Sequence, residues 1–562
     1  MQRPTHFRWT FFAVCLLTLG VFSVSAPVTT VQAQDDFKSL EKEYETHKRD
    51  GARTAMGRVV EKMARTNDKE AAKFLVGELD EDQKARKRKK PGLPGEVRDK
   101  IVQALGAFTD EESVKLIGDM ALDMKSAKDP TLALDQFDFF RALASMKDIA
   151  PADATLRTAL GDPENPYIKC AALEAIRQAE ASRFTDDVIN IVLEDNPDWA
   201  KKWLIVPINT FDCLKDIVDR NDKAAVIKVV EAVVTWEERK TCLDERVRYF
   251  GGRMLAELTG ETADMGSVFF WKWWVEQMKA KRPIDDSKRP AEKRSKTAVV
   301  PPVFDTAPVG KRFVFVIDTS DSMKLPLKIS LEEIEKRKKE RGPVSGKRKG
   351  EKPEEEPDEE DKDADNPLRQ LPWKDISTKM ELAREELARA IRSFEGDRYF
   401  AVVTYSTEVD VITGGYVQAT GANCKKWADE ALDLEPDALT NIHGGLMQAM
   451  KISDKGTDCE SPSVDPNCVL SGADTIIFLT DGWASWSDDS TAQDATDPRN
   501  PKGQVGNGSF ILGEEIWPDI VRVNLFRKLI INTVGIGNHD KDLLKNLAKR
   551  TGGVYVDWGF PE

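Results

Sequence analysis

The sequence predicts two folded regions of different class, an all-α region followed by an α/β region. In residues 50–280, apolar side chains recur at spacings of three and four, which is the period of an amphipathic helix. From Lys311 onward, short apolar runs alternate with helical patterns, which is typical of a parallel sheet covered by helices on both faces. Residues 281–310 are rich in proline and charge without periodicity, so they are predicted to be a linker.

The first 33 residues have the composition of a secretory signal peptide. Arg3 and Arg8 precede an almost wholly apolar stretch at 11–24, and Val31-Gln32-Ala33 places small side chains where signal peptidase cleaves. We therefore predict cleavage after Ala33 and a mature protein that is secreted or periplasmic, with no transmembrane segment. An uncleaved anchor is the alternative, although the apolar stretch is shorter than the roughly 20 residues that a spanning helix needs.

Residues 34–280 are predicted to form a domain of helical repeats. Three apolar positions recur at a separation of 71 residues, namely Val97, Ala104 and Leu105 with Ile168, Ala175 and Ile176. This separation is about two periods of a helix-pair repeat. The helices resemble HEAT repeats, so each pair is expected to bury its apolar stripe against its neighbours in a solenoid. An irregular helical bundle is the alternative.

Residues 311–562 are predicted to form a doubly wound, Rossmann-like α/β domain. The predicted strands are Arg312–Ile317, Tyr399–Tyr405, Glu408–Ile412, Asp474–Leu479, Ile530–Val534 and Val554–Asp557. The predicted helices are Ile376–Phe394, Lys425–Leu432, Ile442–Ile452, Glu514–Lys528 and Lys541–Arg550. Two insertions interrupt this pattern, a charged stretch at 331–366 that is predicted to be disordered and a long loop at 483–512.

Five oxygen-bearing side chains lie near the ends of these predicted strands. Asp318, Ser320 and Ser322 follow the first strand in a DxSxS pattern, Thr440 precedes a helix, and Asp481 follows the strand that ends at Leu479. Folds of this class bind ligands beyond the carboxyl ends of their strands. Hydroxyl and carboxylate oxygens suit a small hard cation, Mg2+ or Mn2+, rather than a metal that prefers soft ligands. Capping of turns by these residues is the alternative.

This arrangement resembles the metal-ion-dependent adhesion site of von Willebrand factor A domains, and the resemblance covers residues 311–560. It implies that Ser320, Ser322 and Thr440 bind the metal directly, while Asp318 and Asp481 hold bound waters. Because the direct ligands would then be neutral, the cation is expected to recruit an Asp or Glu carboxylate from a protein partner.

Three further features accompany the predicted site. Asp321 stands where this family often has glycine, and its carboxylate would either fill the open metal position or repel an acidic ligand. Trp483 and Trp486 would either anchor a partner or hold their loop to the domain. Cys459 and Cys468 bracket a polar loop and are the best candidates for a disulfide in an exported protein.

The leading functional hypothesis is an exported adhesion protein that binds a protein partner through the metal. The alternative is an RNA-binding scaffold, because helical repeats joined to this domain type also occur in the Ro ribonucleoprotein family. A formal net charge of -14 argues against nucleic acid, since neutralising phosphates needs a basic face. We predict no enzymatic activity, because no GxSxG, HExxH, Walker or GxGxxG motif occurs.

Overall fold

The computed structural model describes residues 37–87, 92–123, 133–194, 196, 198, 203–239, 244–284, 286–290, 304, 306, 308–340, 371–394, 396–485 and 510–559. The predicted signal peptide, Trp486 and most of the two insertions lie outside these residues. Within the ranges described, no helix combines the length and the apolar character needed to cross a membrane.

The described part of the first region is entirely helical. Its helices are α1 (Phe37–Arg49), α2 (Arg53–Thr66), α3 (Lys69–Lys87), α4 (Gly95–Leu105), α5 (Glu111–Ala121), α6 (Ala133–Ser145), α7 (Ala150–Gly161), α8 (Pro166–Gln178), α9 (Thr185–Leu193), α10 (Ile205–Ile217), α11 (Lys223–Glu238), α12 (Glu245–Thr259) and α13 (Val268–Lys279). The prediction of an all-α first region is therefore confirmed.

Alternate helices of this region pack against one another. The helices α2, α4, α6, α8, α10 and α12 form one row of successive contacts, and α3, α5, α7, α9, α11 and α13 form a second row. Apolar side chains such as Ile101, Phe140 and Leu214 are fully buried along the first row. Burying these faces is what stabilises the helices of this row, since isolated helices of 11 to 15 residues are marginal in water. The assignment to HEAT-type repeats stays a prediction.

A seven-stranded, mostly parallel sheet forms the centre of the second region. Its strands are β1 (Arg312–Asp318), β2 (Tyr399–Tyr405), β3 (Val409–Val411), β4 (Val417–Gln418), β5 (Thr475–Thr480), β6 (Ile530–Ile536) and β7 (Tyr555–Trp558). The strand order is β3-β2-β1-β5-β6-β7; β3 and β4 pair antiparallel with β2, and every other pair is parallel. The prediction of an α/β domain after the helical region is confirmed.

Helices cover both faces of this sheet. The helices of the second region are α14 (Leu331–Glu340), α15 (Lys379–Arg392), α16 (Gly421–Leu432), α17 (Ile442–Lys451), α18 (Pro466–Ser471), α19 (Gly513–Val523) and α20 (Lys541–Thr551). Phe313 and Phe315 of β1 pack in a cluster with α15 and α16, whereas Val314 and Val316 pack in a cluster with α17, α19 and α20. This alternation follows from the two-residue period of a strand.

Two predicted non-folded segments contain ordered parts. Helix α14 occupies the first ten residues of the charged insertion, and the backbone N–H of Glu333 donates to the Ser330 hydroxyl at 3.2 Å at its start. Such a cap satisfies a backbone N–H that would otherwise lack a partner at the start of the helix. The prediction of disorder considered only the charge composition and did not include this cap. At the end of the predicted linker, Phe304 and Thr306 are buried, and the Phe304 ring packs 5.9 Å from that of Trp558.

The α/β domain packs on the even-numbered row of helices. The Asn209 amide of α10 donates to the Phe526 carbonyl at 2.7 Å, and the Tyr167 hydroxyl of α8 donates to the Val464 carbonyl. Arg246 of α12 forms an ion pair with Asp474 at 3.2 Å. Since Asp474 immediately precedes β5 and Phe526 lies shortly before β6, the helices contact the edge of the sheet where these strands begin.

The predicted disulfide is not formed in this structure, where Cys459 and Cys468 are free thiols. The buried Cys468 thiol donates to the Lys451 carbonyl at 3.7 Å, so it has a hydrogen-bond partner of its own. Burial raises the pKa of both thiols, which disfavours the thiolate needed for exchange.

Candidate metal centre

The five side chains predicted to bind a metal lie at the edge of the sheet opposite the helical region. Asp318 is the last residue of β1, and Asp481 directly follows β5. Because β1 and β5 are adjacent and parallel, these carboxylates meet at the point where the strand order reverses, which is where such sheets bind ligands. Asp318, Ser320, Thr440 and Asp481 are all buried, and Ser322 is half-buried.

A continuous chain of hydrogen bonds links four of the five predicted residues. The Ser320 backbone N–H donates to the Asp318 carboxylate at 2.9 Å. The Ser320 and Ser322 hydroxyl oxygens lie 3.0 Å apart, and the Ser322 hydroxyl donates to the Asp481 carboxylate at 2.6 Å. The side chains of Asp318, Ser320 and Ser322 at the end of β1 thus lie next to the Asp481 carboxylate at the end of β5.

Thr440 reaches the same edge from the loop before α17. The Asp321 backbone N–H donates to the Ala438 carbonyl at 3.0 Å, which holds this loop against the turn after β1. Ala438 adopts a left-handed backbone conformation with φ at 57°, so the chain turns sharply just before Thr440. The Ser485 hydroxyl lies 3.4 Å from the Thr440 hydroxyl and donates to it. No direct hydrogen bond to the other four side chains is seen for Thr440 among the described residues.

Two further hydrogen bonds fix the position of the Asp318 carboxylate. Its second oxygen accepts hydrogen bonds from the Thr480 hydroxyl at 2.7 Å and from the Tyr405 hydroxyl at 3.2 Å. Burial and the neighbouring charge of Asp481 raise the pKa of Asp318 above its usual range. A cation at this edge would stabilise the charged form of Asp318, because it would offset both the burial and the repulsion from Asp481.

Sequence reasoning missed Lys379, the first residue of α15. Its ammonium donates to the Asp481 carboxylate at 2.6 Å, and its side chain is 5% exposed. The available signal was electrostatic, because a lysine in the first turn of a helix faces the positive end of the helix dipole. The sequence contains no clue to its partner, which lies 102 residues further along the chain.

Asp321 does not point into the site. Its carboxylate, with half of the side chain exposed, lies 2.5 Å from the Lys324 ammonium, so the charges of the two groups offset each other. Two apolar side chains near the site are exposed to solvent, Leu325 to 54% and Trp483 to 49%. Both follow site residues closely, Leu325 after Ser322 and Trp483 after Asp481.

The donor set at this edge consists of three hydroxyls and two carboxylates. All are oxygen ligands from three separate loops: hydrogen bonds link Asp318, Ser320, Ser322 and Asp481, and Thr440 lies on the loop that is held against the turn after β1. Oxygen donors of this kind fit a small hard cation such as Mg2+. The Lys379 ammonium offsets one of the two buried carboxylate charges, so one net negative charge remains for such a cation to compensate.

Comparison with known proteins gives distant similarities. No family model matches the chain. It is 26% identical over 158 residues to inter-alpha-trypsin inhibitor heavy chain H3 of Mus musculus, which covers 28% of this chain and 17% of that protein. The chain thus spans less than a fifth of the length of this relative.

Two solved structures are also similar to parts of the chain. One is von Willebrand factor type A from Catenulispora acidiphila, with a TM-score of 0.25 and 16% identity, covering 46% of this chain and 41% of that chain. The other is the PilB minor pilin from Streptococcus sanguinis, with a TM-score of 0.24 and 16% identity, covering 44% of this chain and 57% of that chain.

Proposed function

We propose that the α/β domain is a von Willebrand factor A-type domain that binds Mg2+ or Mn2+ and thereby captures an acidic side chain of a protein partner outside the cytoplasm. The observation that supports this most strongly is the hydrogen-bonded chain from Asp318 through Ser320 and Ser322 to Asp481. Asp481 lies 159 residues after Ser322 in the sequence, yet the two side chains meet at the edge of the sheet where folds of this class bind ligands.

In this proposal each residue of the centre has a defined part. Ser320, Ser322 and Thr440 would bind the metal through neutral hydroxyl oxygens, and Asp318 and Asp481 would hold its waters. The metal supplies a Lewis-acidic charge that attracts an external carboxylate. The proposal assigns no catalytic step to the site.

The position of the centre favours contact with another protein. The helical region covers the edge of the sheet where β5 and β6 begin, and the candidate centre lies at the opposite edge, away from these contacts. The exposed Leu325 and Trp483 add apolar surface near the proposed metal. Aromatic and apolar side chains at the centre of an interface commonly supply much of the binding energy.

Metal titration tests the proposal. The chain from residue 34 to 562 would be titrated with Mn2+, and bound metal would be followed by electron paramagnetic resonance. We expect saturable binding of one ion that Asp318→Ala abolishes, because this change removes a buried carboxylate of the centre. Asp410→Ala is the matched control, since Asp410 is exposed on the outer strand β3. Binding that survives Asp318→Ala would overturn the assignment.

Partner capture and export need separate measurements. An immobilised wild-type domain should retain a protein from an extracellular extract in Mg2+ and release it in EDTA, while the Asp318→Ala variant should retain none. Export predicts that the protein isolated from its native source begins at Gln34, which amino-terminal sequencing determines. A protein that keeps residues 1–33 would contradict the predicted cleavage.

A further inference from the structure

The ammonium of Lys379 lies inside the candidate metal centre, although it is not one of the five residues predicted from the sequence. The distance from its nitrogen to the Asp481 carboxylate is 2.6 Å, and the Lys379 and Asp481 side chains are 5% and 0% exposed. The other oxygen of Asp481 accepts the Ser322 hydroxyl at 2.6 Å. Both Asp481 oxygens therefore have a short hydrogen bond from the protein itself.

The backbone fixes Lys379 in this place. Thr378 and Glu381 form a reciprocal capping box at the start of α15, which determines where the helix begins. The Lys379 backbone N–H donates to the Leu325 carbonyl at 3.2 Å, and Leu325 belongs to the segment that follows Ser322. The lysine is thus tied by its backbone to the turn that contains the serines and by its side chain to Asp481.

The local electrostatics do not favour a buried lysine here. A positive charge in the first turn of a helix opposes the helix dipole, and burying an ammonium has a high desolvation cost. The contact with Asp481 offsets these costs only if the pair stays together. Because the helix dipole and burial both disfavour a positive charge here, we infer that the function of Lys379 lies in its contact with Asp481.

We propose that Lys379 sets the ligand specificity of the centre, an inference that rests on the proposed metal function. By occupying one Asp481 oxygen, it keeps this carboxylate from binding the metal directly. It also fixes the charge of the centre. Asp318 and Asp481 contribute two negative charges and Lys379 one positive charge, so a bound divalent cation leaves the centre with one net positive charge.

That remaining charge explains why an anionic ligand is needed. With Lys379 present, an external carboxylate brings the loaded centre to neutrality. Without it, the two aspartates alone would neutralise the cation, and Asp481 would be free to bind the metal in place of the partner. Lys379 therefore weakens metal binding and strengthens the demand for an acidic partner.

Mn2+ titration of four proteins tests this charge balance. The proteins are wild type, Lys379→Met, Asp481→Asn and the double variant Lys379→Met/Asp481→Asn. We expect Lys379→Met to bind Mn2+ at least about tenfold more tightly, because a nearby positive charge has been removed. Asp481→Asn should bind at least about tenfold more weakly, and the double variant, whose centre regains the wild-type charge, should lie close to wild type.

A second measurement reports direct ligation by Asp481. Water-proton relaxation by protein-bound Mn2+ should fall in Lys379→Met, because one water is replaced by the carboxylate, and acetate should lower it less than in wild type. Lys374→Met is the matched control, since Lys374 is exposed five residues earlier and should change neither readout. Circular dichroism identifies a variant that has not folded, in which case Lys379→Gln takes its place.

The outcomes separate the two proposals. A wild-type protein that binds no Mn2+ would overturn the metal function and this inference together. If wild type binds Mn2+ and folded Lys379→Met binds it no better or more weakly, then Lys379 only orients Asp481, and the inference alone is wrong. Unchanged acetate competition would also overturn it.

Discussion

Lys528 of the α/β domain and the buried Glu174 of the helical region form a partly buried ion pair, with 2.6 Å between the ammonium nitrogen and a carboxylate oxygen. The same ammonium lies 3.1 Å from Asp212. Arg177 contacts both carboxylates from the helical side, at 2.7 Å from Glu174 and 3.5 Å from Asp212. A charged network therefore joins the two regions at the edge of the sheet opposite the candidate metal centre.

Removing the Lys528 charge should weaken the contact between the two regions and so lower the stability of the protein. We expect Lys528→Met to lower the free energy of unfolding by about 3 kcal/mol, because it leaves two buried carboxylates with fewer positive partners. Urea unfolding monitored by tryptophan fluorescence measures this loss. Lys228→Met is the control, since Lys228 pairs with Asp186 at 2.6 Å on the exposed surface, where such pairs contribute less than about 1 kcal/mol. Equal losses in both variants would contradict a buried role for Lys528.

The same network predicts an acid-sensitive interface. Burial raises the pKa of Glu174, but the charges of Lys528 and Arg177 outweigh this effect and lower the pKa from its usual 4.5 to about 2. Because the folded-state pKa lies below that of the unfolded chain, the stabilisation is present above about pH 4.5 and is lost as the pH falls towards 2. It amounts to about 3 kcal/mol at neutral pH.

Comparing wild type with Glu174→Gln over this pH range measures the effect. The difference in unfolding free energy should be largest above pH 4.5, should shrink steadily as the pH falls towards 2, and should reach its minimum below pH 2, where Glu174 also becomes neutral. A difference that is independent of pH would show that the Glu174 charge does not stabilise the interface.

The strands, and the meeting of Asp318, Ser320, Ser322 and Asp481 at one edge of the sheet, were predictable because their signals are local. Strand Tyr399–Tyr405 was predicted with the bounds that the structure has, since a continuous apolar run marks a strand buried on both faces. Asp318, Ser320 and Ser322 lie within five consecutive positions, so they are close together in space irrespective of the long-range contacts of the chain. Parallel strand order then brings Asp481 beside them.

The contacts between distant segments were not predictable from such signals. The Asn209 amide meets the Phe526 carbonyl across 317 residues, and Lys379 meets Asp481 across 102. Periodicity shows which face of a helix is buried but not which surface covers it. A polar residue on a helix, such as Asn209, reads as solvent-exposed unless its partner is known.

Close packing beneath the centre makes Gly445 sensitive to substitution. A Cβ atom at Gly445 of α17 would lie 2.9 Å from the Tyr405 ring, so Gly445→Ala must displace that ring. The Tyr405 hydroxyl binds Asp318 at 3.2 Å, so the displacement should reach the centre. We expect a loss of about 1–3 kcal/mol in stability and weaker Mn2+ binding, measured by thermal unfolding and by titration.

Gly421→Ala is the matched control for this substitution. Gly421 begins α16, and a Cβ atom there would meet no atom within 4 Å. Replacing this glycine should leave Mn2+ binding unchanged and should not lower stability, because alanine reduces the entropy of the unfolded chain. If both variants bind Mn2+ like wild type, the Tyr405 contact does not position Asp318.

The exposed apolar side chains near the centre should contribute to partner binding without affecting the metal. Leu325→Ala/Trp483→Ala removes two side chains that are about half exposed, and the Leu325 carbonyl that accepts from Lys379 stays in place. We expect Mn2+ affinity to equal that of wild type, whereas the affinity for the partner captured in Mg2+ should fall by at least about tenfold, since loss of a central aromatic anchor typically costs about 2 kcal/mol or more. Surface plasmon resonance with the purified partner measures this fall.

Phe269→Ala is the control, because Phe269 is 75% exposed on α13 of the helical region. Partner affinity that is unchanged in the double variant would mean that the carboxylate-to-metal contact alone directs recognition, while an equal fall in Phe269→Ala would place the binding surface on the helical region instead.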